Sequence, residues 1–443
     1  MKLQKTAYEL SQSQVTTPPN IVSLFWEVVK NYRKHFNRVL DMGAGDARFA
    51  VAKCYDQYDG VEIDSKKIRD VSNLKNVDIF NSCIFEHPFN NYDACIGNPP
   101  YVRHHDIETE WKFSTTKRIE EELEIKLDLH CNLYLYFMCF GILKTQQKGL
   151  VALVIPFEWV SRPSAAPIRN YIKRKKWNVS VYEFKESIFS KVLTTASISI
   201  VDKATSEGKW SFYSIDSNQN IKSRNGINES GTYILPYSPR GEVWARRGLS
   251  PGTQKVFTLT EDERKKAKLT HKDVRPCITT MKSLPRTVKK LNKKTFKKYF
   301  VDAGQRCWLI RSTDKKISRR LRKYLNNVHE DVRNTYTCVN HDPWYSYEKF
   351  SIPKFLFHSG FVKEGPKVLT NEIKAQAVGS VYGVLSKIRI KKKDKKDLTK
   401  FLLSYDFEKK IVPHANELKK VEVKQLNNVL NEWCLMRQNY ARN

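Results

Sequence analysis

Between Arg38 and Val201 the chain alternates short apolar runs with stretches of helical spacing, and this alternation limits the fold more than any other feature. Arg38–Asp41, Gly60–Ile63, Val77–Phe80, Tyr92–Gly97, Leu150–Ile155, Val179–Phe184 and Ala196–Val201 read as strands. Leu150–Ile155 lies between Gly149 and Pro156 and is apolar throughout, as expected of a strand covered on both faces. Strands separated by helices in this way predict an α/β fold with a doubly wound, largely parallel, Rossmann-like sheet. Ligands in such sheets bind at the carboxyl ends of the strands. Residues that carry chemistry should therefore follow the strands directly.

The pattern stops near Lys203. Residues 204–235 are polar and contain the turn signals SNQN, SRNG and NESG, which predicts one domain over residues 1–204 and a second over 205–443. Charge divides at the same place. The net charge is +31, with 28 Lys and Arg against 24 Asp and Glu in residues 1–204, and 50 against 23 in residues 205–443. The excess gathers in Arg264–Lys268, Lys289–Lys298, Lys315–Tyr324 and Lys387–Lys396. A polyanion partner follows, because Lys and Arg neutralise phosphates and release condensed counterions. A lysine-rich surface of purely compositional origin is the bland alternative, and Lys387–Lys396 reads equally well as a solvated loop.

Other classes recede. With 40% apolar and 12% aromatic residues the chain can build a core. Its best apolar run, Gly149–Val160, falls short of the roughly 18 residues a membrane span needs and contains Glu158. The first residues lack the apolar centre of a secretory signal. Nine cysteines form no CxxC pair. The expectation is a cytoplasmic protein with reduced thiols, no membrane partner and no metal.

Two segments carry chemistry. Asp41-Met42-Gly43-Ala44-Gly45-Asp46 reads as a strand end, a glycine turn and the start of a helix near Ala47. Glycines let the backbone approach a ligand without Cβ clashes. Glu62 follows Gly45 by 17 residues, at the end of the next strand, where a carboxylate accepts from ribose hydroxyls. Asp64 reads as the cap of the next helix. The glycine turn alone serves NAD, FAD and S-adenosylmethionine alike.

Asn98-Pro99-Pro100-Tyr101 directly follows the fourth strand. Two prolines remove two backbone donors and stiffen the loop, so the carbonyls of Asn98 and Pro99 stand as acceptors. Asn98 adds a side-chain carbonyl and Tyr101 an aromatic face. Such a cradle suits an amino group on a planar ring: acceptors engage its hydrogens, and the nitrogen lone pair attacks an electrophilic methyl while the ring is held by stacking. Read blandly, two prolines after a strand are a stop signal.

These motifs, in this order, resemble the gamma class of DNA adenine-N6 methyltransferases, the Taq-type enzymes of type II restriction-modification systems. Thr16-Thr17-Pro18-Pro19 looks like the class's TPP motif, which touches the methionine part of the cofactor. DMGAGD and VEID match its S-adenosyl-L-methionine motifs, and NPPY its catalytic motif. Asn132–Phe137 and Gly149–Pro156 resemble the helix and strand that follow. Ile188-Phe189-Ser190-Lys191-Val192 resembles the motif whose aromatic residue packs against a flipped base.

The resemblance covers about residues 10–205. It implies that Thr17, Pro18, Asp41, Gly43, Gly45, Glu62, Asn81, Ser82 and Asn98 bind S-adenosyl-L-methionine. It implies that Asn98, Pro99, Pro100 and Tyr101 form the catalytic site, with Tyr101 and Phe189 stacking on an adenine rotated out of double-stranded DNA. The class usually has an acidic residue where Ser82 stands here, flanked by Asn81 and Cys83, and some members have Glu in place of Asp41. The basic half takes the place of an α+β target-recognition domain. Glu242–Thr260, Cys307–Ile310 and His341–Tyr345 resemble segments of such domains, although Trp344 suits a core position, and His341 beside Asp342 suits structure or phosphate better than acid–base work.

A fused nuclease usually precedes the TPP motif, and the basic half shows no PD…ExK pattern. A separate restriction endonuclease, or none, is the expected partner. Three rivals stay open: an RNA base methyltransferase, a protein-glutamine methyltransferase, against which the basic half counts, and a DNA-binding subunit with a dead cofactor fold, against which the intact NPPY counts.

Overall fold

The structure, a computed structural model, describes residues 16–68, 74–189, 194–224, 235, 237–314, 316–333, 336–411, 413–415 and 418–442. It forms two compact units. The first is Met1–Ile234 with Val412–Leu418, and the second is Leu235–Ile411 with Lys419–Asn443.

The first unit is built on one nine-stranded sheet. Its strands are β1 (Phe36–Met42), β2 (Tyr55–Glu62), β3 (Val77–Asn81), β4 (Tyr92–Gly97), β5 (Thr145–Pro156), β6 (Asn178–Phe184), β7 (Ala196–Asp202), β8 (Trp210–Ile215) and β9 (Ile221–Ser223). Their spatial order is β3-β2-β1-β4-β5-β7-β6-β8-β9. Strands β1 to β5 are mutually parallel, β7 runs antiparallel between β5 and β6, and β8 pairs parallel with β6. This is the expected α/β, largely parallel architecture.

Both faces are covered, so the central strands bury alternate residues on opposite sides. Leu40, Met42, Cys95, Val151 and Leu153 pack on one face with α2 (Thr109–Leu123), α3 (Leu133–Lys144) and α4 (Ala166–Arg174). Val39, Ala94, Ile96, Ala152 and Val154 pack on the other with α1 (Pro19–Lys30). Burial on two sides is why these strands read as nearly continuous apolar runs. Helix α3 is buried on almost every side, which is why Leu133–Phe140 carries no polar stripe.

The structure departs from the sequence reading at two places. The boundary at 204 falls inside the first unit, because β8 and β9 extend its sheet. Trp210–Ile215 alternates buried and half-exposed positions beside short β9, and so resembles a polar connection more than a strand. The SRNG and NESG signals lie largely outside the described residues. The helix expected from Ala47 is a single 3-10 turn, Arg48–Ala52, entered through Ala47 at φ 55°.

The second unit is a mixed α+β structure whose two larger sheets have five and four strands. Val243–Arg246, Val381–Ser386, Phe355–His358, Val368–Asn371 and Lys290–Leu291 form one, in that order. Thr258–Leu259, Trp308–Ile310, Val274–Ile278 and Gln376–Ala377 form the other. The C-terminal helix Val423–Arg442 packs on the first, where Asn427 Oδ1 accepts from the Ala245 amide at 2.7 Å. No helix among the described residues is long and apolar enough to cross a membrane.

Candidate functional site

The strand order steps from β1 back to β2 and β3, then across to β4. That reversal opens a crevice beyond the carboxyl ends of β1 and β4. A cavity of about 350 Å³ lies in the first unit, walled by the residues that follow β1, β2, β3 and β4. Thr17, Gly43, Gly45, Glu62, Ser82, Asn98 and Pro100 all line it.

The glycine turn is tied under β2. Gly43 N and Ala44 N donate to the Val61 carbonyl at 2.9 and 3.0 Å. Gly45, at φ 57°, directs its N–H to Glu62 Oε2 at 2.9 Å. Glu62 Oε1 accepts from the Asp64 N–H at 2.9 Å. The nearly buried carboxylate therefore staples two loops while facing the cavity. Asp64 caps the short turn after β2 by accepting from Lys66 N, as expected.

The fourth-strand loop is equally fixed. Tyr101 Oη donates to the Val154 carbonyl at 3.2 Å, and burial pushes its phenol pKa up. Beyond it, Leu133 N donates to the Val102 carbonyl at 2.9 Å and His104 N donates to Asn132 Oδ1 at 3.1 Å. The start of α3 thus holds the loop, and Leu133 and Phe137 complete the cavity wall.

Several expected residues stand elsewhere. Asp41 is fully buried behind the cavity wall. Its Oδ2 accepts from Tyr58 Oη, and Oδ1 has no hydrogen-bond partner among the described residues. Burial raises its carboxyl to about 7 against the lowering effect of the Tyr58 hydrogen bond. Pro18 caps α1, its carbonyl accepting from Ile21 N and Val22 N, and does not line the cavity. Asn81 splints the backbone instead, donating to the Glu62 and Ile63 carbonyls at 2.9 and 3.3 Å. Pro99 is buried beside the wall.

Tyr101 and Phe189 do meet, but edge to face, with centroids 6.0 Å apart and planes at 81°. They form no parallel slot for a base, and Phe189 is buried in the core beside α1. Ser190, Lys191 and Val192, the last three residues of that motif, lie outside the described residues. In the second unit Trp344 packs edge-on against Phe257 and Tyr345, in keeping with a core position.

The sequence reading missed Arg48, Lys66, Lys67 and Phe137, which also line the cavity. Arg48 Nε donates to Asp46 Oδ1 at 2.7 Å, and its guanidinium also reaches the Thr17 carbonyl. No local spacing signals that link. Phe137 lies beside Gly43, where a Cβ would stand 3.7 Å from its ring, at ordinary van der Waals distance.

Comparison with known proteins places both halves in one context. The family described as Eco57I restriction-modification methylase matches residues 22–189. The C-terminal domain of type II methyltransferase M.Eco57I matches residues 208–405, and so takes in β8 and β9. Type II methyltransferase M.AccI of Acinetobacter calcoaceticus is 26% identical, over 76% of this chain and 68% of its own. Type II methyltransferase M.HincII of Haemophilus influenzae is 27% identical, over 44% of this chain and 41% of its own. The type IIL restriction-modification enzyme MmeI, solved in complex with DNA, aligns with a TM-score of 0.60 at 11% identity, over 93% of this chain and 64% of its own. The chain thus spans about two thirds of M.AccI and of MmeI, and less than half of M.HincII.

Proposed function

We propose that the chain, whose residues 22–189 and 208–405 match the Eco57I-type restriction-modification methylase models, methylates the N6 amino group of an adenine flipped out of double-stranded DNA, with S-adenosyl-L-methionine as donor. The observation that carries this reading is the placement of Asn98 and Pro100 on the wall of the cavity whose other walls hold Gly43, Gly45 and Glu62. An amine acceptor cradle and a nucleoside-sized cavity share one opening.

The cavity suits the donor. Its volume falls in the range of small-molecule sites, about 300–1,000 Å³. Glu62 spends one lone pair of each oxygen on a backbone N–H and keeps others for a ribose diol. Gly43 and Gly45 let the backbone come close, Ser82 offers a hydroxyl near the β3 end, and Thr17 and Arg48 rim the cavity with polar groups. S-adenosyl-L-methionine supplies an electrophilic methyl group on a sulfonium.

The Asn98 side-chain carbonyl and the Pro99 carbonyl accept hydrogen bonds from the adenine N6 hydrogens and aim its lone pair into the cavity. Tyr101 offers the ring a face. Since Tyr101 and Phe189 now touch edge to face, admitting the base has to part them. The nitrogen would take the methyl as the methyl–sulfur bond breaks to leave a neutral thioether, and would then release a proton to water. Positioning and preorganised acceptors supply the acceleration. A separate endonuclease of matching specificity is the proposed partner, with the protein acting on cytoplasmic DNA.

Incubation of plasmid DNA with the protein and isotope-labelled donor, followed by base mapping, tests the reading. N6-methyladenine at one short site is the expected product. Label in cytosine, in RNA or in protein glutamine, or no label at all, overturns it. Glu62→Ala removes the staple and the diol acceptor together, and should weaken donor binding about tenfold or more by calorimetry; unchanged affinity removes Glu62 from the site.

The second unit is the proposed DNA-reading half. Its helix Arg319–Asn326 buries Leu321 and Leu325, and sets Arg319, Arg320, Arg322 and Lys323 in solvent. Such cations position a duplex through phosphates without reading bases. Replacing the three arginines by glutamine should flatten the slope of log affinity against log salt by about 0.9 for each phosphate left without its cation. An unaltered slope moves the phosphate surface elsewhere.

A further inference from the structure

Two segments far apart in sequence meet at the proposed catalytic asparagine. Asn98 Nδ2 donates to Thr17 Oγ1 at 2.9 Å. Thr17 is 3% exposed, and its backbone carbonyl accepts from the Arg48 guanidinium. Arg48 is held in turn by Asp46, in the glycine turn, through Nε to Oδ1 at 2.7 Å and a second contact from Nη2 to Oδ2. A continuous chain of hydrogen bonds thus runs from the glycine turn through Arg48 and Thr17 to the Asn98 amide.

The amide is nearly symmetric in shape and opposite in polarity at its two ends. A half-turn about its last bond exchanges acceptor for donor with almost no steric change. Only one of the two orientations accepts a hydrogen bond from an amine. The Thr17 hydroxyl can pair with either end and so holds the amide's plane, and in the arrangement seen here Nδ2 donates to it while Oδ1 lies on the other side.

We propose that Thr17 is a positioning residue that anchors the Asn98 amide in the plane in which it meets the substrate, and that the Asp46–Arg48 pair holds Thr17 in place for that purpose. This rests on the reading that Asn98 accepts from the target amine. It differs from the expected contact of Thr17 with the donor, because the hydroxyl acts here through Asn98.

The test compares Thr17→Val, which keeps the shape and loses the acceptor, with Thr17→Ser, which keeps the acceptor and loses a methyl group. Single-turnover methyl transfer at saturating donor and duplex should fall roughly 10- to 100-fold in Thr17→Val. Donor affinity by calorimetry should fall by less than the rate does, since the Thr17 hydroxyl is engaged by Asn98, and Thr17→Ser should return most of the rate. Three results overturn the proposal. One is a wild-type rate in Thr17→Val. Another is a loss confined to donor affinity, which makes Thr17 a donor contact alone. The third is a loss that Thr17→Ser leaves unrepaired, which makes it a packing effect. Failure of the underlying reading looks different: Asn98→Ala would then stay active, or the wild type would yield no methylated adenine.

Discussion

Replacing Asn98 by alanine should lower the single-turnover rate of methyl transfer by about 10²–10³-fold or more, the scale set by deleting one preorganised group from a polar catalytic cradle. Duplex affinity should change little, because the cations proposed to hold phosphates lie in the second unit. The loss has two parts. The side-chain carbonyl that would accept from N6 disappears, and Thr17 Oγ1 loses its donor at 2.9 Å. Thr17→Val removes only the second part, so its smaller loss measures orientation while Asn98→Ala measures orientation and acceptor together. Filter-binding affinity beside the single-turnover rate separates binding from chemistry. A variant that binds and turns over near the wild-type level removes Asn98 from the reaction and takes the amine-cradle reading with it.

The cavity residues could be gathered from sequence because each ends or follows a strand of the parallel group. Gly43, Glu62, Ser82 and Asn98 come from four different connections, yet β1 to β4 lie side by side and leave the sheet at the same edge. A parallel topology turns equal phase along the chain into proximity in space. Asp41 shows the same rule overlooked. Side chains alternate along a strand, and Leu40 and Met42 point to the face covered by α2, α3 and α4, so Asp41 points with Val39 to the α1 face and not up into the crevice.

What stayed illegible depends on tertiary docking. Nothing in the local pattern ties Arg48 to Thr17, since the N-terminal segment reaches the glycine turn only once α1 has packed on the sheet. The edge strands were lost for a related reason. A strand half in solvent carries too few apolar residues to stand out from turn-rich surroundings, as Trp210–Ile215 does not. Phe189 could be placed near Tyr101 from motif order, but the edge-to-face geometry comes from core packing around Phe189, which sequence spacing does not encode.

Gly97→Ala should be the most damaging single methyl added to the first unit's active edge. Gly97 ends β4 at φ 145°, where an L side chain costs about 1–3 kcal/mol in backbone strain alone. The added Cβ would also sit 2.8 Å from the Met42 carbonyl oxygen, 3.1 Å from Asp41 Oδ1 and 3.3 Å from Met42 N. Two of these three atoms are backbone of β1, the strand paired with β4, and cannot rotate away. Either the end of β4 separates from β1 at the reversal of strand order, or the peptide plane that aims Asn98 tilts. Both routes remove methyl transfer, and the first also lowers the melting temperature of the unit.

Gly45→Ala supplies the comparison. Its φ of 57° is also unfavourable to alanine, at about 1–2 kcal/mol, but a Cβ there meets nothing within 4 Å. Donor-free thermal unfolding followed by circular dichroism should therefore order the proteins as wild type, Gly45→Ala and then Gly97→Ala, with the last clearly apart. A Gly97→Ala protein that melts with Gly45→Ala and still methylates would mean that β1 and β4 yield at their ends. The close approach of the two strands would then not be what delivers Asn98 to the cavity.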